Sequence, residues 1–550
     1  MTEFFGDTMD GLKNWNSSEQ SEILIYAIKA GGTFMLYSLI AGLFLFVTRQ
    51  TIIVVSRYIE YDLKNEIYAH YQRLGYNFYK KNSTGDLMNR ISEDVTKVRM
   101  YLGPGIMYTL NLVIMSIMVI TNMIQISGKM TLFVLMPLPI MSFIIYKVAS
   151  RINKLSATVQ EEQSYMSTLV QENFSGIRVV KAYGRHKEVE DKFANSAENY
   201  KSKSMRLVLV NSLFMPTIFI LIGISTILCI YLGGLLYFNE QISQGGIVKF
   251  IIYVNMLTWP FASVGWVTSL VQRAAASQTR INEFLETPAE IVNGSHEPFS
   301  FQGKIEFRNV SYTYPNSGIN ALSNLSFTLL KGESLGIVGK TGSGKSTILK
   351  LLMRQIEPDQ GTIFIDDVDI KNINIDHFRN DTGIVPQDVF LFSDSIKNNL
   401  LFGSHEDEVS EEKLIEVTKA AHVYHNIVEF KHKFDTLLGE RGVNLSGGQK
   451  QRLSIARALI RDPKLLILDD CLSAVDTETE EIILSNLKKN KATTSLVVSH
   501  RISSIRNANK IINIESGSAE EEGTHEELIK LNKAYAELYR KQLAEDDADS

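Results

Sequence analysis

The chain has 550 residues, more than one ordinary domain, with 45% hydrophobic residues and a formal net charge of −5. That balance offers no basic excess for a polyanion, so no nucleic-acid partner is expected. Its two cysteines, Cys229 and Cys471, exclude a disulfide framework and point to buried, unpaired thiols.

Taken in chain order, Met1–Lys29 has neither a basic n-region nor a continuous apolar h-region, so it does not read as a signal peptide. Long apolar runs follow at Ala30–Val47, Leu102–Ile126, Met130–Tyr146, Leu207–Phe238 and Phe250–Leu270. Each is near or above the roughly 20 residues that cross a bilayer, whereas a buried helix of a soluble protein is usually shorter and carries a polar stripe. Met130–Tyr146 is the weakest of the five, being short and holding Pro137 and Pro139. Charge sets the topology. Arg49–Tyr101 holds 9 Lys or Arg and Lys147–Arg206 holds 11, against 1 near Lys129 and none in Asn239–Gly246. This bias puts the long loops in the cytosol, and counting back through five spans leaves the N-terminus outside.

The second half carries the chemistry. Leu335–Val338 reads as a short buried strand and Ser346–Leu352 as a helix, with Gly339-Lys340-Thr341-Gly342-Ser343-Gly344-Lys345-Ser346 between them fitting G-x-x-x-x-G-K-[ST]. Glycines let backbone N–H groups point at the phosphates of a triphosphate, Lys345 adds a point charge, and the Ser346 hydroxyl suits Mg²⁺, a hard cation that prefers oxygen. Leu465–Leu468 reads as another buried strand, and Asp469 at its carboxyl end lies where ligands bind in open α/β sheets and completes the metal site. Leu445-Ser446-Gly447-Gly448-Gln449 opens a helical run that stops at Asp462-Pro463, and small residues at a helix N-terminus attract phosphate.

With these motifs in this order, the stretch from Lys304 to about Leu528 resembles the nucleotide-binding domain of ATP-binding cassette (ABC) proteins. The resemblance implies ATP and Mg²⁺ as cofactors, with Gly339, Lys340, Thr341, Gly342, Ser343, Gly344, Lys345, Ser346 and Thr347 around the phosphates and Tyr314 stacked on adenine. It implies Ser346, Gln387 and Asp469 at the metal, and Asp470, His500 and Gln387 as the catalytic set, His500 being the switch histidine that touches the γ-phosphate. Asp476 matches the D-loop. Ser446, Gly447, Gly448 and Gln449 match the signature that binds the γ-phosphate held by another cassette, so a chain with one cassette implies a partner.

The first half looks like the membrane half of ABC exporters, which has six helices with cytosolic extensions tipped by short coupling helices. Tyr79–Arg90 and Ser175–Arg185 resemble those tips, which implies that Tyr79, Arg90, Tyr183 and Arg185 anchor near Gln387. Thr436–Gly442, with Glu440, resembles an exporter loop that communicates with the coupling helices. Phe5–Leu12 aligns just after the family's first transmembrane helix, so a further span encoded in frame upstream is expected. The expected fold is an α-helical transmembrane bundle, lacking its first helix, followed by an α/β P-loop NTPase domain with an ABC-specific helical subdomain. Its divisions are residues 1–278, a linker at 279–303, the cassette at 304–533, and a solvated acidic tail at 534–550. His525 reads as a surface or capping residue.

One position departs from the family. Asp470 stands where a glutamate general base is usual; one methylene shorter, it places the carboxylate on the order of 1 Å from where water needs it, which can cost about a hundredfold in rate. Leu468–Asp476 is similar to the first subunit of bacterial multidrug-resistance-like half-transporters. A heterodimer with a second half-transporter is therefore favoured over a slow homodimer, and a regulatory ATP-binding subunit is the alternative. The span centres hold no Asp, Glu or Arg, which favours small hydrophobic or amphipathic substrates, drug- or lipid-like, over charged ones or a proton relay. Asn111, Asn122, Gln125, Asn211 and Asn255 either face a cavity or bond helix to helix. The expected location is the lipid bilayer of the bacterial inner membrane, multi-pass, with the cassette in the cytosol. Peptide export and a soluble cassette ATPase are less favoured.

Overall fold

In the computed structural model the described residues are 8 and 20–549, apart from 316, 407–408 and 489–492. The Phe5–Leu12 stretch thus lies, except for Thr8, outside them. Two units make up the chain: Met1–Gln72 with Asn82–Pro288, and Arg73–Lys81 with Ala289–Ser550.

The first unit is helical. Among the described residues, four helices are long and apolar enough to cross a membrane: Leu24–Arg73, Thr84–Leu135, His186–Phe238 and Gln244–Leu285. They contain four of the five expected runs. The fifth, Met130–Tyr146, is divided. Ser127 leaves helical geometry (φ −162°, ψ 107°), the chain is helical again up to Leu135, and a new helix, Pro137–Ser175, begins with proline in its first turn. Proline has no N–H to give to the preceding turn, so it starts a helix more readily than it continues one. That helix then runs on into Lys147, Arg151 and Lys154, which dilutes its hydropathy, yet Met130, Leu138, Met141 and Ile145 are buried with Phe250, Val254 and Leu257 in the core of this unit. Leu39, Phe44 and Phe46 on the first helix stay exposed, as suits side chains that face lipid.

Beyond the apolar runs the helices are joined by polar contacts. Asp94 is buried and accepts from Ser277 Oγ at 2.8 Å and from Arg280 Nε at 3.0 Å, which ties the second apolar helix to the last.

The second unit is built on two sheets. One is four-stranded and antiparallel, ordered β2-β1-β4-β5 from β1 (Ile305–Thr313), β2 (Asn320–Leu329), β4 (Gln360–Ile365) and β5 (Val368–Asp369). The other is six-stranded, ordered β10-β9-β3-β8-β7-β6 from β3 (Ser334–Val338), β6 (Thr382–Val385), β7 (Leu465–Asp469), β8 (Thr494–Val498), β9 (Lys510–Glu515) and β10 (Ser518–Gly523). From β9 to β6 the neighbours pair in parallel, and β10 pairs antiparallel to β9. Parallel strands are covered on both faces, so they read as unbroken apolar runs; Leu465–Asp469 is buried at every position.

The C-terminal boundary differs from the expectation. Ala534–Asp549 is helical, and Tyr535, fully buried, packs into the core that also holds Val338, Leu468 and Ile502. His525 is not a capping residue: Thr524 and Glu527 form the capping box, while His525 Nδ1 lies 2.7 Å from the Tyr535 hydroxyl.

Candidate functional site

The parallel sheet brings the motifs together. β3, β8, β7 and β6 are neighbours, and their carboxyl ends lead directly into Gly339, Ser499-His500, Asp470 and Pro386-Gln387. Residues scattered from 339 to 500 in the chain thus line one edge, where open α/β sheets bind ligands.

The loop after β3 turns through left-handed backbone at Gly342 (φ 82°) and Gly344 (φ 103°). A Cβ on Gly344 would also fall 2.2 Å from the Ala321 carbonyl oxygen, so both conformation and space demand glycine there. The helix Lys345–Leu352 starts immediately after. Lys345 Nζ donates to the carbonyls of Gly339 (2.7 Å) and Lys340 (2.9 Å). Ser343 Oγ is buried with no hydrogen-bond partner. A half-buried cation held by carbonyls and an unsatisfied hydroxyl in one glycine-rich turn both fit a polyphosphate. Lys340 is exposed and pairs with Glu515 at 3.0 Å, and Thr341 is exposed.

Ser346 Oγ donates to Asp469 Oδ1 at 3.4 Å. Asp469 is buried, and burial pushes its carboxyl above the usual range; burial likewise pushes Lys345 below its usual range, against the pull of Asp470 and Asp469. A buried carboxylate beside a hydroxyl suits a hard divalent cation. Gln387 is exposed and its Nε2 reaches Asp470 Oδ2 at 3.4 Å. Asp470 Oδ1 lies 2.6 Å from His500 Nδ1. The expected metal and catalytic residues are therefore in one place.

Tyr314 is half-buried, its hydroxyl 3.1 Å from Thr347 Oγ1, which joins the side chain expected to stack on adenine to the phosphate-loop helix. Lys80 lies over its ring at 4.8 Å, Tyr76 accepts from Lys350 Nζ at 3.3 Å, and Asn77 donates to Glu290 at 3.1 Å. The segment Arg73–Lys81 thus packs beside Tyr314. Within the first unit Arg90 pairs with Asp86 at 2.8 Å and lies over the Phe284 ring.

The signature forms a second, separate feature. Ser446 caps the helix Gly447–Leu459 in a capping box: its Oγ accepts from Gln449 N, and Gln449 Oε1 accepts from Ser446 N at 3.0 Å. Among the described contacts this helix bonds to the D-loop, not to Gly339–Ser346. Gln451 Oε1 accepts from Ala474 N at 3.1 Å, and a Cβ on Gly448 would meet the Ala474 oxygen at 2.9 Å. Gln451 was not singled out from sequence, although its place two residues past the signature marks it. Arg501, which donates to the Ser473 carbonyl at 3.1 Å, was missed too; its place beside His500 was the available signal.

The comparisons with known proteins agree with this geometry. Residues 1–261 match the ABC transporter transmembrane region and residues 322–473 match the ABC transporter family. The chain is 36% identical over 488 residues to the probable multidrug resistance ABC transporter ATP-binding/permease protein YheI of Bacillus subtilis (strain 168), covering 88% of this chain and 83% of that one. It is 34% identical over 522 residues to the multidrug resistance-like ATP-binding protein MdlA of Escherichia coli (strain K12), covering 94% and 88%. A solved bacterial Atm1-family ABC exporter with ATP bound shares the fold, with a TM-score of 0.81 at 23% identity over 98% of this chain and 95% of that one. A membrane region and a P-loop ATPase sheet stand on one polypeptide, and the chain belongs to the ABC transporter family, as an exporter-type subunit whose ATPase is coupled to transport.

Proposed function

We propose that this chain is a half-transporter that pairs with a second one and moves small hydrophobic or amphipathic compounds across a bacterial inner membrane, its cassette in the cytosol. The observation that carries the reading is the meeting of Lys345, Ser346, Asp469, Asp470, Gln387 and His500 at the ends of adjacent parallel strands, while the signature stands apart from them. Bound ATP would sit against Tyr314 and the loop Gly339–Thr347, with Mg²⁺ held by Ser346, Asp469 and Gln387. The ion would offset phosphate charge and polarise the phosphoryl oxygens. Asp470 takes a proton from water, and His500 orients Asp470 and reaches the γ-phosphate. Gly447 and Gly448, in the first turn of the capped helix, offer N–H groups to a nucleotide on the partner.

A cavity of about 770 Å³ in the first unit supports the substrate class. Phe214, Phe219, Trp259 and Trp266 line it together with Asn211 and Asn255, and Arg273 is the charged side chain in its wall. An apolar chamber with a few amides suits amphipathic molecules. Asn111, Asn122 and Gln125 are not in that lining.

A second reading rests on Asp470: the subunit binds ATP to set a conformation while its partner hydrolyses. ATP-dependent uptake of a lipophilic dye into inverted vesicles, with this chain alone and with a co-expressed half-transporter, separates the two. Uptake by the chain alone supports a homodimeric exporter, uptake only with the partner supports the heterodimer, and none in either case contradicts export of this class.

A further inference from the structure

We propose that Gln542, on the C-terminal helix, is a positioning residue that sets the aim of His500. Its carboxamide brackets the switch: Nε2 donates to the His500 carbonyl at 2.6 Å and Oε1 accepts from the Ile502 N–H at 2.9 Å. A primary amide alone among side chains offers a donor and an acceptor side by side with no charge, as a neighbouring strand would, so this pair of bonds holds the peptide plane of His500 as a ladder holds a strand. The imidazole of the same residue lies 2.6 Å from Asp470 Oδ1. Gln542 therefore touches the backbone of the residue whose ring touches the carboxylate at the reaction centre.

The helix that carries Gln542 is itself fixed. Tyr535 is fully buried, its N–H donates to the buried Glu521 carboxylate at 3.1 Å, and its hydroxyl lies 2.7 Å from His525 Nδ1. Arg540 on the same helix donates to Asn532 Oδ1 at 2.7 Å. On its other side the switch is held by Arg501, which donates to the Ser473 carbonyl. A segment without any nucleotide motif thus becomes part of the hydrolytic machinery. The inference rests on His500 acting at the γ-phosphate.

The test uses the full chain in lipid nanodiscs, with Gln542→Ala, Gln542→Glu and His500→Ala. Amide exchange of the peptide containing Ile502 is measured without nucleotide, and ATPase kcat and KM, binding of a fluorescent ATP analogue and Tm are measured beside it. Gln542→Ala should expose the Ile502 amide to exchange and lower kcat about tenfold, since displacement by a fraction of an ångström at a catalytic group carries that penalty. KM, analogue affinity and Tm should stay near wild type. Gln542→Glu keeps the acceptor for Ile502 and loses the donor to His500, so it should retain protection at Ile502 and still lose kcat. Wild-type kcat and exchange in Gln542→Ala would overturn the proposal, as would a fall in kcat matched by falls in Tm and analogue affinity. If His500→Ala itself leaves kcat unchanged, the catalytic reading of the switch fails, independently of Gln542.

Discussion

Asp470 Oδ1 lies 2.6 Å from His500 Nδ1, and the backbone that aims it is left-handed, with φ 47° at Asp470. Few residues other than glycine take that conformation, and a structure holds one there only when its surroundings fix it. Here the Asp470 N–H donates to the Val498 carbonyl at 2.8 Å and its own carbonyl accepts from Ser473 Oγ at 3.0 Å. Strand pairing of β7 with β8 thus places carboxylate and imidazole together. Whether that geometry serves water activation decides how active the chain is.

The metal site gives a prediction with a pH sign. Burial raises the Asp469 pKa above its unfolded value, so in the metal-free protein the ionised carboxylate costs stability at neutral pH. That cost is complete above the folded pKa and vanishes as pH falls below about 3.9, the ordinary aspartate value. Asp469→Asn should therefore melt higher than wild type in EDTA at pH 7, with the difference shrinking toward acid. It should also lose the stabilisation by MgATP, which at a hundredfold excess over Kd amounts to about 2.7 kcal/mol. A variant that melts lower at pH 7 in EDTA contradicts the reading that burial of the Asp469 charge outweighs its hydrogen bond from Ser346 and the pull of Lys345.

The two signature glycines should separate. A Cβ on Gly447 meets nothing nearer than Ala474 Cβ at 3.7 Å, an ordinary contact, whereas one on Gly448 would sit 2.9 Å from the Ala474 oxygen. Gly448→Ala should destabilise the cassette by about 1–3 kcal/mol, the usual cost of overpacking. Gly447→Ala should leave Tm unchanged and act only where a partner's nucleotide meets the helix. Denaturant melts of both variants check this; equal losses would contradict the packing.

Cys229 and Cys471 are both buried and unpaired. Burial pushes the Cys471 thiol far above its usual pKa, so almost no thiolate exists near neutrality. Maleimide at pH 8 should label neither cysteine in the native chain and both after denaturation, as read by mass spectrometry. Native labelling of Cys471 would show that the end of β7 opens.

Much of this site was legible because strand, loop and helix follow one another locally. Lys345 and Ser346 begin a helix after an apolar strand, and Asp469 ends one, so type and spacing alone place them. The apolar runs were legible for the same reason, except Met130–Tyr146, where Ser127 and Pro137 cut the pattern that hydropathy reads. Gln542 was not legible: it lies 42 residues from His500 in a helix with no local signal, and only the burial of Tyr535 brings it there. The contact of Arg90 with the Phe284 ring was not legible either, because a charged side chain at a helix tip reads the same whether it meets Phe284 or another partner.

The steady-state MgATPase of the purified chain against its Asp470→Glu variant tests the central claim most directly. The shorter carboxylate should make the wild type slow, and the added methylene should raise kcat at least about tenfold with KM for ATP unchanged, because it moves the base toward the water without touching nucleotide binding. A wild-type chain that hydrolyses as fast as Asp470→Glu would contradict the claim that Asp470 limits this cassette.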